Sequence, residues 1–211
     1  MRGFLLDMLF PALPIGRGVP DRADGEMHAY PLRLEGYLLQ RRGLPSIDRL
    51  VCGGSYAASP HLREAIQRFK YRRVEAYGAE LGRMLAETSA FLPAWPLPVL
   101  CPVPLHWTRR FLRGFNQAAV LAEAVSAARG WHTEELLRRV RPTGSQARRS
   151  HAERRTALRD AFAWNASHVP ARVVLVDDVV TSGATLEACA CALRSAGVAR
   201  VDAMTLAVAS P

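Results

Sequence analysis

The stretch from Arg172 to Thr185 constrains the fold more than any other part of the chain. Val173, Val174, Leu175 and Val176 form an apolar, largely β-branched run that predicts a short buried strand over Arg172–Val176. Asp177 and Asp178 then mark an acidic turn, and Thr181-Ser182-Gly183-Ala184-Thr185 is a small polar loop that runs into a helix. That helix is predicted over Ala184–Ala196, with Gly197 just past its end, and a last strand over Val201–Val208. Strand, helix and strand in this order make a right-handed parallel unit. Ligands of such sheets sit at the carboxyl ends of the strands, which points to Asp177 through Thr185 and to Pro102 through Arg113. The fold class expected is α/β with a mainly parallel sheet.

The rest of the chain fits one such domain and an appendage. Pro11, Pro14, Gly16, Gly18, Pro20 and Gly25 crowd the start, so residues 1–50 read as an irregular N-terminal segment and 51–211 as the main domain. Ser59-Pro60 opens a helix whose inner face is Leu62, Ala65, Ile66 and Phe69, with Lys70 at its end. A second helix is predicted from Val74 to Thr88, a strand over Leu97–Val103, and a helix over Asn116–Arg129 closed by Gly130. A weaker strand is expected over Glu135–Val140. The capping box Ser150-x-x-Glu153 then predicts a helix running to Phe162.

Composition removes several function classes. Apolar residues make up 49% of 211 residues, which argues for a packed domain rather than a disordered chain. The formal charge of +9 favours phosphate-rich partners, although 27 of the 28 basic residues are arginine, a bias shared by GC-rich genomes that weakens the case for nucleic acid. Lys70 is the sole lysine. Cys52, Cys101, Cys189 and Cys191 make no C-x-x-C pair, so no thiolate or histidine metal centre is expected and no zinc. No uninterrupted run of 18 apolar residues occurs, and Phe4 to Ile15 is broken by Asp7, Pro11 and Pro14. A cytoplasmic protein without membrane insertion is expected.

The chemistry of the central run is specific. Two carboxylates at a strand end can accept hydrogen bonds from vicinal ribose hydroxyls and favour a nearby Mg²⁺. Unpaired N–H groups where Thr181–Thr185 turns into a helix suit a phosphate, and Gly183 permits close backbone approach. An isolated Asp-Asp pair is more often a solvated loop. Here the loop that follows tips the balance, and the absence of G-K-[ST] excludes a P-loop.

This run closely resembles the phosphoribosyl pyrophosphate signature of type I phosphoribosyltransferases. Pro102-Val103-Pro104-Leu105, Arg109, Arg113-Gly114-Phe115-Asn116-Gln117, the Phe69-Lys70-Tyr71 element, and Gln146, Arg154, Ala161 and Phe162 resemble the ComF (ComFC/GntX) family within that fold. The resemblance spans roughly Tyr56 to Val208. It implies that Asp177 and Asp178 hold a ribose, and that Thr181, Ser182, Gly183, Ala184 and Thr185 hold its 5-phosphate. It further implies that Lys70, Pro104, Arg109 and Arg113 meet a pyrophosphate, with Arg109 and Arg113 grouped with the two aspartates as catalytic. Each of these cations also has a plain reading, a basic surface loop for the arginines and a snorkelling surface residue for Lys70. Around Thr143–Ser150 the resemblance implies a lid, with Gln146, Arg148, Arg149, Arg154 and Arg155 as lid or nucleic-acid contacts.

Two departures from the family pattern stand out. Its usual N-terminal C-x-x-C pairs are missing, which implies a zinc-free counterpart of the family's finger, and Ala157 stands where asparagine is usual. The resemblance implies a Mg²⁺-dependent site for phosphoribosyl pyrophosphate or a nucleotide, and involvement in DNA uptake during natural competence. Three possibilities stay open: a phosphoribosyltransferase of unknown acceptor, a non-catalytic module that binds single-stranded DNA or uptake proteins, and a nucleotide sensor.

Overall fold

A computed structural model describes residues 32–71, 75–105, 114–140, 158 and 160–209. Its centre is a sheet ordered β1-β2-β8-β7-β3-β4, from strands β1 (Leu32–Glu35), β2 (Arg49–Cys52), β3 (Val99–Pro102), β4 (His132–Thr133), β7 (Arg172–Val180) and β8 (Arg200–Val208). β1 is antiparallel to β2, and the other pairings are parallel. Helix α1 (Tyr37–Arg41) lies between β1 and β2, α2 (Pro60–Tyr71) and α3 (Glu75–Thr88) between β2 and β3, α4 (Gln117–Arg129) between β3 and β4, and α5 (Ala184–Ser195) between β7 and β8. A two-stranded antiparallel ribbon pairs β5 (Leu137–Arg139) with β6 (Phe162–Trp164). The mainly parallel α/β architecture expected from the chain order is the one observed.

The apolar run of β7 is buried because both of its faces are covered. Val173 and Leu175 belong to one core with Leu186, Cys189 and Leu193 of α5, whereas Val174 and Val176 belong to a second with Leu62, Ile66, Phe69, Leu81, Leu85 and Leu121 of α2 to α4. Alternation along a strand divides its side chains in this way, and a strand covered twice is apolar throughout. The second core is tight where α3 crosses α4, since a Cβ added at Gly82 would collide with Ala124.

At the amino ends of β7 and β8 lies a buried ion pair. The Arg172 guanidinium and the Asp202 carboxylate have no exposed side-chain surface, and Arg172 Nε donates to Asp202 Oδ2 at 2.8 Å. Nη1 of the same guanidinium donates to the carbonyls of Pro93 and Pro96 at 2.7 and 2.8 Å. One arginine thus ties two strands to the loop that leads into β3.

Several local expectations differ from the structure. Irregularity was expected to residue 50, yet residues 32–50 contain β1, α1 and the start of β2, with Leu34, Leu39, Leu44 and Ile47 in the core. Ser46 Oγ donates to Glu187 Oε1 at 2.7 Å, and Arg194 Nη2 to Asp48 Oδ2 at 2.6 Å, so this segment is fastened to α5. Residues 1–31 lie outside the described residues. The strand expected to stop at Val176 continues to Val180, because β8 pairs with it as far as Val208. The aspartates are therefore in the strand and not in a turn. The helix expected to reach Phe162 does not, since Phe162 pairs with Arg139 in the ribbon. Most of that helix, residues 150–157, lies outside the described residues.

The thiols give a checkable consequence. Cys52, Cys101 and Cys189 are buried and Cys191 is exposed. Burial pushes the Cys52 thiol up to about 11 and the Cys101 thiol up to about 12. Native protein near pH 8 should react with one equivalent of a maleimide at Cys191, and with four after denaturation. The folded state retains protons on these thiols that the unfolded chain releases from about pH 8.5. Their contribution to stability is thus complete below that pH and lost as pH rises towards 11 to 12. Urea midpoints should fall between pH 8 and pH 10.5, and rapid labelling of two or more thiols at pH 8 would contradict the packing.

Candidate functional site at the carboxyl edge of the sheet

The ends of β7, β3 and α2 meet at one edge of the sheet. Val103, just past β3, donates its N–H to the Val176 carbonyl at 2.9 Å, which sets the Pro102–Leu105 turn beside the aspartates. Pro104 and Leu105 are half-buried there. Asn116 joins the second motif to this turn, since its Nδ2 donates to the Val103 carbonyl at 3.2 Å. Its Oδ1 accepts the Ala118 N–H at 3.1 Å and caps α4. Phe115 packs its ring against Phe69 at 5.7 Å between centroids, close to the end of α2. Phe115 and Asn116 are therefore scaffolding that aligns β3, α4 and α2.

That alignment places Lys70 on Asp178. The ammonium Nζ lies 2.9 Å from Asp178 Oδ2, with 21% and 13% of the two side chains exposed. Asp178 Oδ1 accepts the Val179 N–H at 2.6 Å, and Asp177 Oδ1 accepts the Asp178 N–H at 2.9 Å. The alternation that separates Val174 and Val176 from Val173 and Leu175 puts Asp178 on the α2 side of the strand and Asp177 on the α5 side. Burial first, then the Cys101 thiol and the Asp177 charge, push the Cys189 thiol of α5 upward, which agrees with that placement. A ligand touching both carboxylates has to straddle the strand end.

Beyond β7, Thr181 is exposed, Ser182 and Thr185 are half-buried, and Gly183 and Ala184 are buried. Gly183 begins α5 at φ 72°, ψ −3° and brings no capping side chain of its own, while the Ser182 hydroxyl accepts the Ala184 N–H at 3.5 Å. A Cβ there would lie 2.6 Å from Leu44 Cδ2, so glycine is required by backbone conformation and by this contact alike. Leu44, in the N-terminal segment, therefore packs directly against the start of α5. The one acid in the first turn of α5, Glu187, is engaged by Ser46 through both its N–H and its hydroxyl. First-turn N–H groups of a helix carry partial positive charge and suit an anion. Arg109, Arg113, Gln146, Arg148, Arg149, Arg154 and Arg155 lie outside the described residues.

Sequence reasoning named Lys70, Pro104, Asp177, Asp178 and the Thr181–Thr185 loop, and these lie at or beside the strand ends where the parallel topology places a ligand. It missed Leu44 and Ser46, which reach Gly183 and Glu187 of α5 from a segment about 140 residues earlier in the chain. Nothing local marks Leu44, because its partner is visible only in the tertiary structure. Among the described residues no cluster of three or more His, Cys, Asp or Glu could hold a metal, and no helix is long and apolar enough to cross a membrane.

No family model matches the chain. Individual proteins do. The chain is 34% identical over 174 residues to Competence protein F of Haemophilus influenzae, covering 77% of this chain and 74% of that protein. Over 173 residues it is 32% identical to DNA utilization protein YhgH of Escherichia coli K12, at 77% and 73% coverage. Competence protein ComFC of Bacillus subtilis matches at 30% over 158 residues, at 72% and 61% coverage. With relatives of this similarity spanning most of both chains, the protein belongs to the ComF family.

Proposed function

We propose that this protein binds phosphoribosyl pyrophosphate or a nucleotide, with Mg²⁺, at the carboxyl edge of β7, and serves DNA uptake. The supporting observation is the Lys70–Asp178 pair directly ahead of a helix N-terminus opened by Gly183. Asp177 and Asp178 would receive ribose hydroxyls, and the Thr181–Thr185 backbone the 5-phosphate. Lys70 and Pro104, with Arg109 and Arg113, would border the pyrophosphate. Mg²⁺ fits this set when phosphate oxygens supply most of its ligands, since it commonly takes one or two carboxylates plus substrate phosphates. When bound, the metal neutralises charge on a leaving pyrophosphate. The chain's own residues orient the ribose and stabilise charge, a role that needs no protein nucleophile. The names of the relatives, competence and DNA utilization, support the biological assignment.

Calorimetry with phosphoribosyl pyrophosphate and Mg²⁺ tests the ligand, and a pyrophosphate-release screen with candidate bases then tests turnover. Absence of binding by phosphoribosyl pyrophosphate and by nucleoside monophosphates would remove the proposal. A non-catalytic module that binds single-stranded DNA is the second reading, supported by the relatives' names and by eight arginines between Arg138 and Arg159. Neutralising Arg148, Arg149, Arg154 and Arg155 together should lower the salt slope of DNA binding by up to about 0.7 per lost phosphate contact. Fluorescence anisotropy at several salt concentrations measures this, and equal binding by wild type and variant counts against the second reading.

A further inference from the structure

Asp178 is already committed within the chain. Val179 donates to Oδ1 at 2.6 Å and the Lys70 ammonium sits 2.9 Å from Oδ2. The helix end that delivers Lys70 is fixed by Phe69, buried in the core and packed on Phe115, so the ammonium is held near Asp178 by more than the ion pair. A cation that approaches Oδ2 meets the charge of that ammonium, whereas a hydroxyl can still donate to a remaining lone pair of the carboxylate.

The two classes of incoming ligand meet this pair differently. A lone divalent ion finds a carboxylate whose charge is neutralised, and Mg²⁺ dehydrates reluctantly even for a free one. A phosphate finds a partly shielded ammonium for which it is a strong charge-assisted partner. Drawing Nζ from Asp178 onto a phosphate exposes the carboxylate as the phosphate arrives with its own metal. The residue type suits this exchange. In a chain whose other 27 side-chain cations are arginine, this position carries the one lysine. An ammonium is a point charge on a flexible stem, whereas a guanidinium would lock onto the carboxylate as a planar fork.

We infer that Lys70 is an internal cation that keeps Asp178 closed to divalent metal until a phosphate withdraws it, so that metal and phosphate enter this site together. The identity of the phosphate rests on the function proposed above, but the closure of Asp178 to metal does not, and the test separates the two. Mn²⁺ alone is titrated into wild type, Lys70→Met and Lys70→Met/Asp178→Asn, and the free ion is read by electron paramagnetic resonance. Lys70→Met should bind Mn²⁺ at least about tenfold more tightly than wild type, the scale of one charge-assisted interaction, and the added Asp178→Asn change should abolish the gain. Lys70→Arg should bind Mn²⁺ no better than wild type. By calorimetry, its affinity for phosphoribosyl pyrophosphate with Mg²⁺ should be at least about tenfold weaker than wild type, because the fork is not released. No gain in Lys70→Met, or a gain that survives Asp178→Asn, overturns the closure. Wild-type affinity in Lys70→Arg overturns the withdrawal. If wild type itself binds no phosphoribosyl pyrophosphate, the proposed ligand fails while the Mn²⁺ titration still decides whether Lys70 closes Asp178.

Discussion

Asp202→Ala should lower stability by about 3 to 5 kcal/mol, the usual cost of removing one partner from a buried ion pair. Its guanidinium partner, Arg172, has no exposed side-chain surface and would be left as an uncompensated charge. The Pro93 and Pro96 carbonyls still accept from Arg172 Nη1, but they supply no charge. Arg200, with its Nε 3.3 Å from Asp202 Oδ2, would add a second unbalanced cation nearby. Removing both members should hurt less, because a well-packed apolar pair avoids the desolvation of two charges. Arg172→Met/Asp202→Leu is thus expected to be more stable than Asp202→Ala. Urea denaturation checks both, and a loss below about 1 kcal/mol for Asp202→Ala, the range of an exposed pair, would show that the guanidinium is not held in a dry environment.

The second large effect concerns the ligand. Asp177→Ala/Asp178→Ala should weaken phosphoribosyl pyrophosphate by at least about 2 kcal/mol, roughly 30-fold, since two charge-assisted hydrogen bonds would be lost. Asp178→Ala alone should cost less than the loss of its own hydrogen bond, because it frees the Lys70 ammonium, which then adds to phosphate attraction. Calorimetry on the two single variants and the double variant measures this. Unchanged affinity in the double variant would remove the ribose assignment.

The pieces that were legible in the sequence are those in which one continuous stretch holds both cause and effect. β7, the Thr181–Thr185 loop, α5 and β8 follow one another, and their apolar periodicity, Gly183 and Gly197 mark them without reference to anything distant. The Pro60 helix and the Asn116 cap are local in the same sense. Where a distant partner decides, local reasoning gave the wrong structure. Asp is a poor strand former, so Asp177-Asp178 reads as a turn, but pairing with β8 carries the strand through it to Val180. Phe162 follows a good capping box, yet its pairing with Arg139 makes it a strand residue. Leu32–Glu35 is a four-residue strand behind a run of glycines and prolines, too short for its alternation to stand out. For the site, the motifs named residues that the structure brings to one edge of the sheet, among them Lys70 and Asp178, but not their contacts. Nothing in the sequence joins Lys70 to Asp178, or Leu44 to Gly183.

The central claim is that the Thr181–Thr185 loop is a phosphate seat, and the most direct measurement is an amide-resolved NMR titration of the wild-type protein with ribose 5-phosphate. The account predicts saturable shifts, largest at the N–H groups of Gly183, Ala184 and Thr185, because these lie at the start of α5, where Gly183 brings no capping side chain. Shifts confined to other parts of the chain, with these three amides unmoved at saturation, would contradict it.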